Sequence, residues 1–330
     1  MGKNSIYYKV QKKINNGEFS DSETILNELL RKNQSDFKAL KMLAYTLISK
    51  SNFSDSLPLI QRARKINSDV PDLLYYDAFA NFRLNNISEA KQIINFAKTK
   101  FPSDEKINWL EELILFNESV YSESHYAGLK LKFDENFESY DDGRTRTNYE
   151  TPYILFEEVK KLAPNGFGRV LDLGCGTGLS GELFCNKTDY LCGVDLSLNM
   201  MQKALDKKIY NELTESDILS YLKGADSNSW NVIIASSVFI YFSDLTELFE
   251  QISRVLCMGG VACFDLNLEK SKADFSLFSH NGMQFSHSKN YVLDCAKKKT
   301  NLKISNVVET YFEYINVGEK HKGLVFSFTK

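Results

Sequence analysis

The 330-residue sequence lacks a run of about 18 apolar residues that could span a bilayer. Its start, Met1 to Lys9, lacks the apolar core and small-residue cleavage site of a signal peptide. Both absences predict a cytoplasmic protein. There is no strong basic excess, since 40 Lys and Arg face 43 Asp and Glu for a net charge of -3, so nucleic acid is not an expected partner. The six cysteines, at 175, 185, 192, 257, 263 and 295, form no CxxC pair and sit mostly in apolar runs such as Val261-Ala262-Cys263-Phe264. They read as small buried residues, His125, His280 and His321 form no group, and no metal site is expected. What is present is 43% hydrophobic content and a length above that of one ordinary domain, which predicts two domains with buried cores.

The first hundred residues repeat at a lag of 34: Ser20-Asp21-Ser22, Ser54-Asp55-Ser56 and Ser88-Glu89-Ala90 fall in register, each preceded by Phe19, Phe53 or Ile87. Ala44 matches Ala78, Ala63 matches Ala97, and Leu26, Ile60 and Ile94 form a third series, the small and large apolar positions of closely packed helices. The pattern resembles tetratricopeptide (TPR) repeats, three of them over roughly residues 3 to 104, with Pro102 at the closing position. Ser20, Ser54 and Ser88 are placed to cap the second helix of each repeat, and Glu23 would complete a capping box at the first. The apolar residues Trp109, Leu110, Leu113, Ile114 and Phe116 predict a closing helix. Such an array offers a concave surface to a protein or peptide partner, or serves as a dimerisation or stability module.

From about Tyr121 the period changes. Arg169–Leu173, Tyr190–Val194, Asn231–Ser236 and Val261–Leu266 read as strands, alternating with helical stretches such as Leu198–Leu205 and Leu245–Leu256. After a last helix at Tyr291–Ala296, Leu302–Ile315 and Leu324–Phe328, joined through Val317-Gly318, read as a strand pair closing one sheet edge. The fold class is α/β, an all-α TPR-like array followed by a Rossmann-like sheet. The expected division is 1–118 for the array with its capping helix, 119–163 for a linker with lid helices, and 164–330 for the sheet domain.

Chemistry concentrates where Val170-Leu171-Asp172 runs into Leu173-Gly174-Cys175-Gly176-Thr177-Gly178, a strand entering a loop of three alternating glycines before a helix. Such a loop lets a ligand approach bare backbone amides. Dinucleotide enzymes use a similar turn, so the neighbouring carboxylates decide the reading. Asp195, ending the next strand before Leu196, can accept both hydroxyls of a ribose, or it can cap the following helix. Asp217 can accept from an adenine amino group, with the Ile218 N–H serving a ring nitrogen. Asp172 beside the loop would repel a pyrophosphate but suits a cation, directly or through the loop.

Together these residues resemble a class I, seven-stranded S-adenosylmethionine-dependent methyltransferase over about residues 121 to 330, and the whole chain resembles TPR-containing methyltransferases. The resemblance implies an enzyme with S-adenosylmethionine as cofactor, held by Asp172, Leu173, Gly174, Cys175, Gly176, Gly178, Asp195, Leu196, Asp217, Ile218 and Ser236. It places Met200 near the adenine. It makes Tyr140 and Tyr149 a lid over the cofactor, if they are not simply aromatic anchors, and the flanking Phe133-Asp134 and Tyr140-Asp141 echo the same leading segment. It offers His287 as a general base, or as a surface or capping histidine, and Asp265 as an acceptor-orienting group, or a turn residue.

The chain departs from that pattern twice. Asp142 to Asn148 is a polar stretch where leucines are usual, suited to a charged acceptor, and Ser237 replaces a usual acidic residue after the fourth strand. No Asn-Pro-Pro-Tyr pattern follows that strand, which argues against adenine N6 or glutamine amides as acceptors. The expected acceptor is an oxygen or nitrogen on a small molecule, sugar or peptide. The competing reading is a TPR scaffold whose second domain binds the cofactor without turnover.

Overall fold

The computed structural model describes residues 3–15, 18–50, 52–84, 86–116, 123–146, 149–269, 274–277, 284–298, 300–313 and 320–330. They form two compact units, one built on residues 1–128 and one on 129–278, 284–312 and 320–330. The boundary falls inside the stretch 119–163. No described helix is long and apolar enough to cross a membrane.

The first unit is a run of helices: α1 (Lys3–Asn15), α2 (Phe19–Lys32), α3 (Phe37–Ser49), α4 (Phe53–Ile66), α5 (Pro71–Arg83), α6 (Ile87–Lys100) and α7 (Glu105–Phe116). Each packs on the next, and α3 also meets α5, as α5 meets α7. The repeated positions explain the packing. Leu26, Ile60 and Ile94 are fully buried on α2, α4 and α6, and Ala44 and Ala78 are fully buried on α3 and α5, where a small side chain lets neighbouring backbones approach. Truncating any of the three large ones to Ala would cost about 2–5 kcal/mol.

The predicted serine caps are corrected. α2, α4 and α6 begin one residue earlier than Ser20, Ser54 and Ser88, and their N-cap positions are Glu18, Asn52 and Asn86. Phe19 and Phe53 belong inside their helices because each buries its ring. Only Asn52 of the three caps with its side chain, accepting from the Asp55 N–H. Glu23 closes no capping box here and instead accepts from Lys50 Nζ at 2.7 Å.

Between α4 and α5, Arg64 pairs with Asp77, which is almost wholly buried and also accepts from Asn81 Nδ2 at 3.0 Å. Burial raises the Asp77 pKa, so the arginine is what makes the charged form tolerable. Arg64→Met should therefore destabilise the chain by about 3 kcal/mol, and more than Asp77→Asn, because it leaves a buried carboxylate without its counter-charge. Urea unfolding of the full chain measures both, and equal losses would contradict the assignment.

After α8 (Glu123–Asn136), α9 (Tyr140–Arg146) and α10 (Thr151–Leu162) come β1 (Arg169–Leu173), α11 (Leu179–Phe184), β2 (Tyr190–Asp195), α12 (Leu198–Asp206), β3 (Glu212–Glu215), α13 (Ile218–Gly224) and β4 (Trp230–Ala235). Then follow α14 (Thr246–Val255), β5 (Leu256–Leu268), β6 (Phe275–Leu277), β7 (Phe285–His287), α15 (Lys289–Lys297), β8 (Lys303–Glu313) and β9 (Lys320–Thr329). β3, β2, β1, β4 and β5 lie side by side in parallel, β9 runs antiparallel along β5, and β8 pairs with β9. The Val317-Gly318 connection lies outside the described residues.

That path has the expected seven strands, but the described sheet has nine. At 13 residues β5 outruns β4, whose last pairing is Ala235 with Phe264, and β7 pairs with Asn267 and Leu268 beyond it, bringing β6 along. Val170, Leu171 and Leu173 of β1 are buried, as are Val232 and Ile234 of β4 and Leu155 and Val159 of α10. The core is therefore continuous from sheet to helix. Strand order reverses at β1, which has β2 on one side and β4 on the other. In an open sheet of this kind, the crevice beyond the carboxyl ends of such strands is where ligands bind.

Candidate functional site

The loop leaving β1 is shaped by its glycines. Gly174 has φ +68°, and a Cβ there would collide with the Val238 side chain, so only glycine fits between β1 and the turn after β4. The Val194 carbonyl accepts from the N–H groups of Gly174 and Cys175, at 2.7 and 3.0 Å, which ties the loop to the end of β2. Gly176 donates its N–H to Asp195 Oδ2 at 2.8 Å, and Ser197 donates to Asp195 Oδ1 at 2.9 Å. Asp195 is not the cap of α12, because Ser197 fills that role by accepting from the Met200 N–H. Burial raises the Asp195 pKa, and the backbone donors at Ser197, Gly176 and Leu196 oppose it.

Asp172 is 1% exposed and accepts from Tyr210 Oη at 2.7 Å. Burial, reinforced by the Asp195 charge and opposed by the tyrosine bond, pushes its pKa up to about 7. Tyr210 lies under the loop in space that Gly181 leaves open, since a Cβ at Gly181 would strike the phenol. It was not foreseen, having no motif between α12 and β3. Met200 is buried, with its methyl the nearest neighbour of a Cβ built on Gly176. Leu173 and Cys175 are buried, Leu196 is half-buried, and Gly178 closes the loop at φ +88° before α11. At the end of β3, Ser216 donates to the Asp195 carbonyl, and Asp217 Oδ1 caps α13 by accepting from the Ser220 N–H at 2.9 Å. Ile218 follows, buried.

The segment ahead of the sheet is laced to this loop. Thr177 Oγ1 donates to Asp141 Oδ1 at 2.6 Å, Ser197 Oγ to Asp134 Oδ1 at 2.5 Å, and Lys203 Nζ to the Glu138 carbonyl at 3.0 Å. Asp134 and Asp141 stood beside the aromatics weighed in the sequence, but only the structure gives their carboxylates partners.

Tyr140 and Tyr149 join a second cluster. The Arg144 guanidinium lies 4.9 Å from the Tyr140 ring and 4.1 Å from the Tyr149 ring, and donates to Tyr140 Oη at 2.8 Å. Tyr149 Oη is 2.6 Å from Ser236 Oγ and donates to Ser237 Oγ at 3.0 Å. Ser237, at φ +55°, donates its N–H to Asp265 Oδ1 at 2.6 Å and its hydroxyl to Oδ2 at 3.4 Å. A non-glycine residue in that region costs of order 1–3 kcal/mol, and the buried carboxylate holds it there. Burial raises the Asp265 pKa to about 6, against the pull of Ser237 and Arg144.

His287 joins neither cluster. It ends β7 rather than starting a helix, and Ser288 caps α15. The ring, 1% exposed, contacts Phe275 and Tyr291 with Nε2 3.0 Å from the Ser243 carbonyl, while Nδ1 is sealed from solvent with no partner among the described residues. Burial lowers its pKa to about 4, so it is neutral at physiological pH. In this arrangement it is a packed core histidine. Of the cysteines, Cys185 and Cys257 are half-exposed and the other four buried. No three His, Cys, Asp or Glu among the described residues gather as a metal site.

Residues 171–264 match the family of methyltransferase domains. The chain is 29% identical over 120 residues to an 18S rRNA (guanine-N(7))-methyltransferase of Bos taurus, covering 31% of this chain and 40% of that protein. It is 29% identical over 129 residues to a trans-aconitate 2-methyltransferase of Rhodopseudomonas palustris, covering 38% and 46%. It thus spans less than half the length of either relative. A solved S-adenosylmethionine-dependent methyltransferase from Leishmania major has the same fold, with TM-score 0.51 and 14% identity over 68% of this chain and 91% of that one. S-adenosylmethionine is the cofactor of this domain. The expectation against nucleic acid gains nothing from these matches, since one relative is named for its action on rRNA.

Asp172 and Asp265 make a pH prediction. Both pKa values are raised above the unfolded carboxylate range, to about 7 and about 6, so their protonated forms favour the fold. The stability they contribute is complete below about pH 4 and is lost as pH rises through 6 and 7. Unfolding free energies of the ligand-free chain should fall from pH 5 to pH 8, with a shallower fall in Asp172→Asn; identical slopes would refute the assignment to Asp172.

Proposed function

We propose that this chain is an S-adenosylmethionine-dependent methyltransferase that transfers the methyl group to an oxygen or nitrogen of a small molecule, sugar or peptide. The observation that carries this is Asp195. Its carboxylate sits at the end of β2, against the Gly176 amide, where the ribose hydroxyls of an adenosyl ligand can donate to it. Asp134 and Asp141 lie beside the same loop with their negative charge, and the buried Asp172, which ionises only near neutral pH, adds to it when a cation arrives. That field repels a pyrophosphate and favours the sulfonium and ammonium groups of S-adenosylmethionine. Asp172 serves the ammonium side, Met200 packs near the adenine, and Asp217 with the Ile218 N–H reads the adenine edge. Tyr140 and Tyr149 belong to a lid over the cofactor, carried by the helices of 119–163.

Methyl transfer from a sulfonium is an in-line displacement with a good leaving group, so holding the acceptor against the methyl and excluding water supply most of the rate, with effective molarities of roughly 10⁵ to 10⁸ M. Asp265 fixes Ser237, which donates to both of its oxygens, and its remaining lone pairs leave it able to orient an acceptor.

The N-terminal array is read as TPR repeats that recruit a protein or peptide partner, or the acceptor itself. Its 34-residue register supports this, since Phe19, Phe53 and Ile87 each open the second helix of a pair.

Asp195→Ala removes an ionised acceptor of the ribose, and bonds to charged groups contribute about 1.5–3 kcal/mol each, so cofactor affinity should fall by about a hundredfold. Equilibrium binding of labelled S-adenosylmethionine to the full chain measures this, together with release of S-adenosylhomocysteine in the presence of a cell extract. Unchanged affinity in the variant, or no product from the wild type, would overturn the reading.

A further inference from the structure

We propose, resting on the methyltransferase reading, that Tyr210 is a positioning residue of the cofactor site: its hydroxyl holds Asp172 as the carboxylate that meets the cofactor's ammonium group, and so sets the pH range over which the cofactor binds.

The fold makes room for this ring from three directions. Tyr210 stands between α12 and β3, against glycines of the loop, of α11 and of β2. A Cβ on Gly178 would come within 3.2 Å of the ring and one on Gly193 within 3.0 Å, while one on Gly181 would overlap the hydroxyl. Each of these positions would crowd the phenol if it carried a side chain. Seated among them, the ring delivers its hydroxyl to Asp172 Oδ2 at 2.7 Å.

Asp172 depends on that bond for its charge. It is 1% exposed and flanked in the sheet by Gly193 of β2 and Ile234 of β4, neither of which carries a charge. The titratable groups that act on it are Tyr210, Asp195 at the end of β2, Cys175 in the loop and Cys192 of β2. Asp195 opposes its ionisation. Burial keeps both thiols protonated, Cys192 with its pKa pushed up to about 11. Burial also holds the Tyr210 phenol well above its ordinary range, so it donates its proton in a hydrogen bond and does not lose it. Of these groups, Tyr210 is the one that favours the carboxylate form of Asp172. The second oxygen of Asp172 has no donor among the described residues, which leaves it for a cation.

Only the ionised carboxylate attracts an ammonium group. With a pKa of about 7, Asp172 is half protonated at pH 7 in the free chain, and a bound cation expels that proton. Affinity therefore falls about tenfold per pH unit below that point, because the competent form becomes scarce. The tyrosine bond is made to the ionised form before and after the cofactor arrives. It cancels where Asp172 is already ionised and counts where a proton must first leave. A purely structural tyrosine would strengthen binding equally at every pH.

The test is calorimetric titration of the full chain with S-adenosylhomocysteine, which keeps the ammonium group, from pH 5.5 to pH 9 in buffers of different ionisation enthalpy. The wild type should release about half a proton per ligand at pH 7, and Asp172→Asn should release markedly less. Tyr210→Phe keeps the ring and removes the hydroxyl. Its affinity should lie about tenfold to a hundredfold below wild type at pH 5.5, with the deficit closing to about twofold or less by pH 9. Taking the ratio at each pH removes the ligand's own titration. A deficit of one size at every pH, or none at pH 5.5, would overturn the role of Tyr210. Absence of proton release by the wild type at pH 7, or equal release by Asp172→Asn, overturns it with no need of the tyrosine variant. Failure of the wild type to bind the ligand at any pH would instead overturn the methyltransferase reading beneath it.

Discussion

The hydrogen bond from the Gly176 amide to Asp195 joins two strand ends that are 19 residues apart in the chain and adjacent in the sheet. It fixes the loop in a shape that only glycine permits at its first position. It also fixes the carboxylate, which then accepts from Ser197 and so sets the start of α12. Met200 reaches the loop because α12 starts where it does. The same bond binds the loop to the β2 end, and Thr177 in that loop carries the contact to Asp141 of α9. Remove it, and the register of loop, helix and leading segment loses its common reference.

Much of this was legible in the sequence because it is local. A strand, three spaced glycines and a carboxylate at the end of the next strand are read within a few tens of residues, and each has one physical purpose. The strands β1, β2 and β4 fall within a residue or two of their predicted limits for the same reason, being short buried apolar runs between polar turns. The helix starts of the array were misplaced because a serine with a good capping hydroxyl sits next to an aromatic that must be inside the helix to reach the core. Burying Phe19 and Phe53 outweighs a capping bond, and the helix takes one more residue.

What escaped the sequence is what depends on distance in the chain. Tyr210 matters only because Gly181 and Asp172 converge on it from other elements, and no pattern along the chain announces that. Arg144 read as part of a polar stretch, and its setting between two tyrosines arises from the fold of α9 against the segment that follows. The additional hairpin of β6 and β7 has strands of three residues, too short for a period to show. His287 looked like a helix start because Ser288, one residue later, is one. Its burial follows from pairing with the overlong end of β5.

Asp141 and Arg144 stand about one helical turn apart on α9, one holding the glycine loop and the other packed against the Tyr140 and Tyr149 rings. A rigid turn of helix cannot release the first without displacing the second. The position of the glycine loop and the packing of the two tyrosines on Arg144 are therefore one variable, since any shift of the loop passes to both through a single turn of helix.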